Sequence, residues 1–169
     1  ASHWKKNLTG KNAYEAAQVD QWMDVVNSSI EPPTIPWLLP IWGMIPNDVA
    51  ATNKAKGSLI SILNTLNNFM ETRTFFVGER ISLADICMTV NLFPLYTTVL
   101  DTGLRKRLTH LNRWFLTCMN QPNFKEQYPS DWSLCTKMAV AKEPEPKAEK
   151  PKAQPKAQPK KETPQEEDE

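Results

Sequence analysis

Residues 73–86, RTFFVGERISLADI, specify the start of a helix that belongs inside a core. Ser82 is placed as an N-cap, and Asp85, three residues later, can accept a hydrogen bond from the Ser82 backbone N–H. Ile81 before the cap and Ile86 after it have the spacing of a hydrophobic staple. The segment that follows is apolar on nearly every side, so we predict a central helix whose uncapped N–H groups would be costly to bury.

No side chain in this sequence is clearly placed for chemistry. Asp85 is a carboxylate in apolar surroundings, and such groups can be catalytic, but its spacing from Ser82 favours a capping role. His3 and His110 lie far apart and lack a companion cluster of metal ligands. No nucleophile triad, phosphate loop or dinucleotide-binding motif appears. The prediction is therefore a non-enzymatic chain with no catalytic residue, no metal and no cofactor.

The remaining apolar residues recur at helical spacing, and no segment alternates as a strand would, so the predicted fold class is all-α. Asn47 or Asp48 can cap the second helix, on which Asn67 is expected to face water. Pro94 is expected to kink the central helix or to end it early. The predicted helices cover about 11–30, 49–71, 83–100 and 104–121, followed by a short turn or helix within 123–134 and one helical turn over 134–139.

The segment EPPTIPWLLPIWGMIP, residues 31–46, is predicted to be an extended connector with short turns, because proline pushes the residue before it out of the helical region. Its many large apolar side chains allow two interpretations. They either fold back onto the helical bundle or remain exposed and dock onto another surface. The candidate docking residues are Trp37, Leu38, Trp42 and Ile45.

A cluster of basic residues lies on and before the fourth predicted helix. RNA or an acidic partner could bind there, but a solvated helix face explains the charges equally simply, and we prefer that interpretation. Stacking aromatics are usual in RNA recognition, whereas Trp114 and Phe115 belong to the buried stripe by spacing. Direct nucleic-acid binding is therefore not predicted. The candidate basic surface consists of Arg105, Lys106, Arg107 and Arg113, close to His110.

Composition divides the chain into an N-terminal flank (1–10), a helical domain (11–139) and a Lys/Glu/Pro-rich tail (140–169) that we expect to be a disordered linker. The formal net charge is +1, so no global field favours nucleic acid or an anionic membrane. Three cysteines without C-x-x-C spacing indicate a reduced, cytoplasmic chain. No apolar run is long enough to span a bilayer.

Three segments of the sequence resemble known families. The F-x-x-G-E-R element before the capping box resembles the C-terminal helical half of glutathione transferases. LTHLNRWFLTCMNQPNF (108–124) and LCTKMA (134–139) resemble, more specifically, the gamma-subunit family of the eukaryotic translation elongation factor 1 complex. The resemblance covers about 11–139 and implies a glutathione transferase C-terminal-like bundle.

The resemblance also implies a function. In that family the domain is a non-catalytic scaffold that anchors the guanine-nucleotide exchange subunit, and aminoacyl-tRNA synthetases are possible further partners. Transferases bind glutathione mainly through a thioredoxin-like half, and no β-α-β pattern precedes the helices here, so conjugation is not expected. Two alternatives stay open: a fragment of an active glutathione transferase, or an assembly domain of an aminoacyl-tRNA synthetase.

Overall fold

The computed structural model describes residues 8–141, so the predicted tail, except for residues 140 and 141, lies outside the described range. Within that range the chain is helical, which confirms the all-α prediction. The helices, in chain order, are α1 (Ala13–Val25), a π-helical turn (Val26–Ile30), α2 (Glu31–Ile41), α3 (Val49–Phe69), α4 (Leu83–Thr98), α5 (Thr102–Arg105), α6 (Thr109–Met119) and α7 (Pro122–Gln127).

Helix α4 lies at the centre of the molecule, as the sequence predicts, and it packs against α1, α2 and α6. Pro94 lies inside the helix without ending it, because α4 continues to Thr98. The loss of one backbone donor is tolerated since burial of the apolar side chains stabilises the helix. The largest fully buried side chains of the core include Trp114, Tyr96, Phe115, Ile30, Leu38, Leu59, Leu63, Met70, Met88, Leu92, Leu95 and Leu100.

Helix α1 begins at a side-chain cap and continues into α2 without a break. The Asn12 side chain accepts a hydrogen bond from the Glu15 N–H at 2.9 Å, and the Lys11 N–H donates back to the Glu15 carboxylate at 2.7 Å. The π-helical turn then leads directly into α2. The chain from Ala13 to Ile41 is therefore one long helical path.

The prediction of an extended connector over residues 31–46 is wrong for its first two thirds, because Glu31–Ile41 is helical. Of the four prolines in this helix, Pro32 and Pro33 directly follow the π-helical turn, and Pro36 and Pro40 lie inside the helix. Pro40 removes the donor that the Pro36 carbonyl would normally receive, and the Thr52 hydroxyl of α3 donates to that carbonyl instead, at 3.0 Å. Tertiary packing against α3 therefore stabilises a helix that local propensity disfavours.

Helix α3 begins at Asp48, whose carboxylate accepts hydrogen bonds from the Ala50 and Ala51 N–H groups at 3.0 and 3.1 Å. The prediction that Asn67 faces water is wrong, because this residue is only 9% exposed. Its amide oxygen accepts hydrogen bonds from the N–H groups of His110 and Leu111 at 2.9 and 3.1 Å. Asn67 thus caps the start of α6 from a different helix.

This cross-helix cap also explains why the helix predicted over 104–121 is interrupted. Short α5 ends at Arg105, and Leu108, just before α6, has a non-helical backbone with φ −108° and ψ 45° and no side-chain cap of its own. The two N–H groups that donate to Asn67 belong to the first turn of α6. In a continuous helix they would instead donate to backbone carbonyls four residues earlier in the chain. The single predicted helix is therefore two.

The prediction of a helical turn over residues 134–139 is wrong, because this segment is not helical. We name it the C-terminal strap. The strap instead crosses the carboxyl end of α4. The Cys135 N–H donates to the Tyr96 carbonyl at 2.8 Å, and the Ala139 N–H donates to the Thr98 carbonyl at 3.0 Å. These carbonyls lie in the last turn of a helix and need partners from elsewhere, which the strap supplies.

Candidate functional site

The capping box forms the polar centre of the core. Asp85, which is 0% exposed, accepts hydrogen bonds from the Ser82 N–H at 2.9 Å and from the Ser82 hydroxyl at 2.7 Å through Oδ2. Its Oδ1 accepts from the Phe76 N–H and from the Trp114 indole N–H, each at 2.9 Å. The sequence predicts the bond from the Ser82 N–H, but not the bond from the Ser82 hydroxyl or those from Phe76 and Trp114.

This arrangement gives Asp85 a structural task. One carboxylate joins the loop before α4, the start of α4 and the middle of α6. The rings of Phe76 and Trp114 meet edge to face with centroids 4.9 Å apart, so the hydrogen bonds and the aromatic packing stabilise the same junction. A carboxylate whose two oxygens already accept four hydrogen bonds is poorly suited to proton transfer.

The candidate docking residues divide into two groups. Trp37 and Leu38 are 2% and 0% exposed and belong to the core, so neither can contact a partner. Trp42 and Ile45 are 47% and 39% exposed. The sequence-based selection was wrong for the first pair because α2 turns those two side chains inward, towards the bundle.

Trp42 and Ile45 are two of five exposed large apolar side chains that lie on α2, in the loop after it and at the first residue of α3. The backbone turns at Gly43, whose φ of +73° favours glycine. We name this surface the α2 patch; it consists of Ile35, Trp42, Met44, Ile45 and Val49. Large apolar side chains that are exposed close together on a protein surface are typical of interaction sites.

Half of the candidate basic surface is engaged in structural contacts. Arg105 donates from Nη2 to the Cys135 carbonyl at 2.8 Å and thereby holds the C-terminal strap. Arg113 donates to the carbonyls of Met70 and Arg73, at 2.6 and 2.9 Å, at the end of α3. These bonds connect α6 to the C-cap of α3 and to the turn that follows it. Lys106 and Arg107 are exposed.

Burial favours the protonated forms of the Cys118 thiol and the Tyr96 hydroxyl. Burial, with a smaller contribution from the negative charge of Asp85, raises the pKa of the Cys118 thiol to about 12. Burial also raises the pKa of the Tyr96 hydroxyl, which donates to the Asn112 amide oxygen at 2.9 Å. Activated nucleophiles show the opposite shift. These groups are therefore suited to packing rather than to attack on a substrate.

A mainly apolar cavity of about 400 Å³ lies between the start of α4 and α7, and we name it the α4–α7 cavity. Both residues of the predicted hydrophobic staple, Ile81 and Ile86, line it. A more polar cleft of about 320 Å³ lies between α1 and the loop after α3, beside Trp22 and Arg73. Among residues 8–141, no cluster of side chains could hold a metal ion. Over the same residues, no helix combines the length and apolar character that crossing a membrane requires.

Comparison with known proteins relates this chain to one domain family. A sequence model of the family described as glutathione S-transferase, C-terminal domain, matches residues 30–122. Human elongation factor 1-gamma is 42% identical over 134 residues, which are 79% of this chain and 30% of that protein. Elongation factor 1-gamma-A of Xenopus laevis is 41% identical over 150 residues, 86% of this chain and 34% of that protein. The chain thus spans about a third of these relatives.

Solved structures agree with the fold. The glutathione transferase-like domain of elongation factor 1-gamma from Saccharomyces cerevisiae superposes with a TM-score of 0.74 at 22% identity, covering 83% of this chain and 63% of that one. Glutathione transferase F2 from Populus trichocarpa has a TM-score of 0.64 at 21% identity, covering 72% of this chain and 59% of that one. At such identities the likeness concerns the fold alone.

Proposed function

This chain belongs to the glutathione S-transferase C-terminal domain family, and we propose that it is a non-catalytic assembly module of the translation elongation factor 1 complex. In that role it anchors the guanine-nucleotide exchange subunit in the cytoplasm. The observation that carries the proposal is the 42% sequence identity with human elongation factor 1-gamma over 134 residues, which are 79% of this chain.

The α2 patch supports this proposal as the docking surface. Trp42 and Met44 are 47% and 69% exposed, and both lie beside the turn at Gly43. Exposed large apolar side chains at the end of a helix can be covered by an apolar helix face of a partner. Aromatic anchors such as Trp42 contribute strongly to affinity in such interfaces. We therefore place the exchange subunit on the α2 patch.

The state of the buried groups supports a role without catalysis. Asp85 is fully used by its four hydrogen bonds, and the raised pKa values of Cys118 and Tyr96 keep both groups protonated near neutral pH. Conjugation needs a group that can reach and stabilise the glutathione thiolate, whereas Tyr96 and Cys118 are 1% and 0% exposed and the Tyr96 hydroxyl already donates to Asn112. The purified chain should therefore show no turnover of glutathione with an electrophilic aryl halide, and measurable turnover would contradict this part of the proposal.

The assembly role is tested by mixing the full chain with the purified exchange subunit and analysing the mixture by size exclusion with light scattering. We expect a complex whose mass equals the sum of its components. A chain that is folded by circular dichroism but elutes separately from the exchange subunit would overturn the assembly role.

The position of the interface is tested by matched alanine variants. Trp42→Ala combined with Met44→Ala should weaken the affinity by roughly thirtyfold or more, because loss of a central aromatic anchor typically costs about 2 kcal/mol or more. Tyr14→Ala is the control, since Tyr14 is 73% exposed but lies on α1, outside the α2 patch. If a complex forms and both variants bind equally well, the assembly role stands and the α2 patch is not the interface.

A further inference from the structure

Charge is distributed unevenly around the α2 patch. Residues 12–53, which form α1, the π-helical turn, α2 and the start of α3, contain no lysine or arginine. The carboxylate side chains of the same segment are Glu15, Asp20, Asp24, Glu31 and Asp48. The α2 patch therefore lies in a part of the fold that is formally negative, although the net charge of the whole chain is +1.

Most of these carboxylates are exposed, and one of them shares a helix face with apolar residues of the patch. The exposed ones are Asp20, Asp24, Glu31 and Asp48. Glu31, Ile35 and Trp42 are separated by four and seven residues, so they follow one face of α2 up to its C-cap. Asp48 directly precedes Val49, the last member of the patch. Along the chain, carboxylates therefore border the α2 patch at both ends.

Two cations that lie beside α1 and α2 are engaged in other contacts. The Lys56 ammonium lies 5.7 Å from the centre of the Trp37 ring and donates to the Met138 sulfur at 3.3 Å. The Arg73 guanidinium, in the cleft beside α1, lies 4.1 Å from the centre of the Phe69 ring and donates to the Phe69 carbonyl at 3.1 Å. In these contacts both cations bind rings, sulfur or a carbonyl group rather than the carboxylates of α1 and α2.

The charge of this surface distinguishes between possible occupants. A second copy of the chain, bound through the same patch in a two-fold arrangement, would bring the carboxylates of both copies into one interface, where like charges repel. A partner with lysine or arginine beside an apolar helix face is complementary to both features of the surface.

The partner surface can therefore be specified. On the basis of the assembly role proposed above, we propose that the exchange subunit binds the α2 patch through a basic amphipathic helix. The apolar face of that helix covers Ile35 and Trp42. Its lysine or arginine side chains face the exposed carboxylates of α1 and α2, which are Asp20, Asp24 and Glu31.

The main consequence of such an arrangement is kinetic. Charges at the rim of an interface steer the diffusing partner, so they change the association rate more than the dissociation rate. Salt screens this steering over a distance of about 8 Å at physiological ionic strength. The association rate of the exchange subunit with this chain should therefore fall as the salt concentration rises.

Stopped-flow measurement of association between the full chain and the purified exchange subunit tests the proposal, with two triple variants of equal net charge. The first neutralises the acidic surface of α1 and α2 through Asp20→Asn, Asp24→Asn and Glu31→Gln. The control neutralises three exposed carboxylates on other parts of the fold through Glu71→Gln, Glu126→Gln and Asp131→Asn. At low salt the first variant should associate roughly threefold or more slowly than the wild type, and the control should associate at nearly the wild-type rate.

The outcomes separate this proposal from the assembly role. If the complex forms and both folded triple variants associate equally fast, the assembly role stands and the basic partner helix is overturned. The wild-type chain decides the same point without a variant, because an association rate that is independent of salt, or that rises with salt, would also overturn it. A folded chain that forms no complex with the exchange subunit would overturn the assembly role and the basic partner helix together.

Discussion

Replacement of Asp85 by asparagine should destabilise the fold because this carboxylate uses both of its oxygens. Oδ1 accepts from the Phe76 and Trp114 N–H groups, and Oδ2 accepts from the N–H and hydroxyl of Ser82. In Asp85→Asn the amide oxygen can keep the first pair of bonds. The amide NH2 then faces the Ser82 N–H, which loses its acceptor inside the core.

The size of this effect follows from the burial of the site. A hydrogen bond to a charged group contributes about 1.5–3 kcal/mol, and a buried donor left unpaired costs about 1–3 kcal/mol. Asp85 is 0% exposed, so solvent cannot replace the lost acceptor, although the Ser82 hydroxyl can rotate and accept from the new NH2. We expect the free energy of unfolding to fall by about 2–3 kcal/mol. With an m-value of about 2 kcal/mol/M, the urea midpoint falls by about 1–1.5 M.

Urea unfolding followed by far-ultraviolet circular dichroism measures this change, and Asp48→Asn is its matched control. Asp48 also caps a helix, but a single oxygen accepts both of its hydrogen bonds, from Ala50 and Ala51. Asparagine offers the same oxygen and is as good an N-cap as aspartate, so the control midpoint should stay close to that of the wild type. Equal midpoints for the Asp85→Asn and wild-type chains would refute the argument from two-oxygen occupancy.

Three further predictions concern the cross-helix cap, the C-terminal strap and the buried thiol. Asn67→Ala should lower the free energy of unfolding by about 1–2 kcal/mol, as for loss of an N-cap, whereas Asn68→Ala, at an exposed neighbouring position, should change it little in the same urea assay. Arg105→Ala should speed amide hydrogen exchange in the C-terminal strap, because it removes the hydrogen bond from Arg105 Nη2 to the Cys135 carbonyl. Lys106→Ala is the control and should leave the exchange rate unchanged. Equal exchange rates in the two variants would contradict the role of Arg105. Because the pKa of Cys118 is raised from 9.0 to about 12 in the folded chain, the thiol ionises first in the unfolded state, so its stabilising contribution is complete below pH 9.0 and is lost as the pH rises towards 12. Between these limits the ionisation of Cys118 should lower the free energy of unfolding by about 1.4 kcal/mol per pH unit. A Cys118→Ala chain whose free energy of unfolding depends on pH with the same slope would contradict the assignment of this effect to Cys118.

The position of the central helix could be predicted because its signal is local. The spacing of Ser82 and Asp85 and the apolar sequence after them are sufficient to locate α4 and its N-terminal cap. Helix α3 is similar, since Asp48 and a stripe of leucines mark its start and its buried face. In both helices the cap and the buried stripe lie within the same continuous segment, so both can be read from the sequence.

The docking surface could be predicted only in part. Proline content indicated an extended chain at α2, and that inference failed because Thr52, sixteen residues beyond Pro36, satisfies the carbonyl that proline leaves unpaired. With the helix missed, its inward face could not be told from its outward face. The sequence therefore could not show which of the two tryptophans is exposed, although Trp37 is buried and Trp42 is exposed.

The sequence by itself determined the fold class, the central capped helix and the family motifs, since each is encoded by residues within about one or two helical turns of one another. Tertiary structure decided which polar groups become partners over long separations. Asn67 caps a helix that begins 42 residues later, and Trp114 donates to a carboxylate 29 residues earlier. Such contacts follow no regular spacing in the sequence, because a buried N–H or carbonyl can form a hydrogen bond with any suitable partner that packing brings close enough.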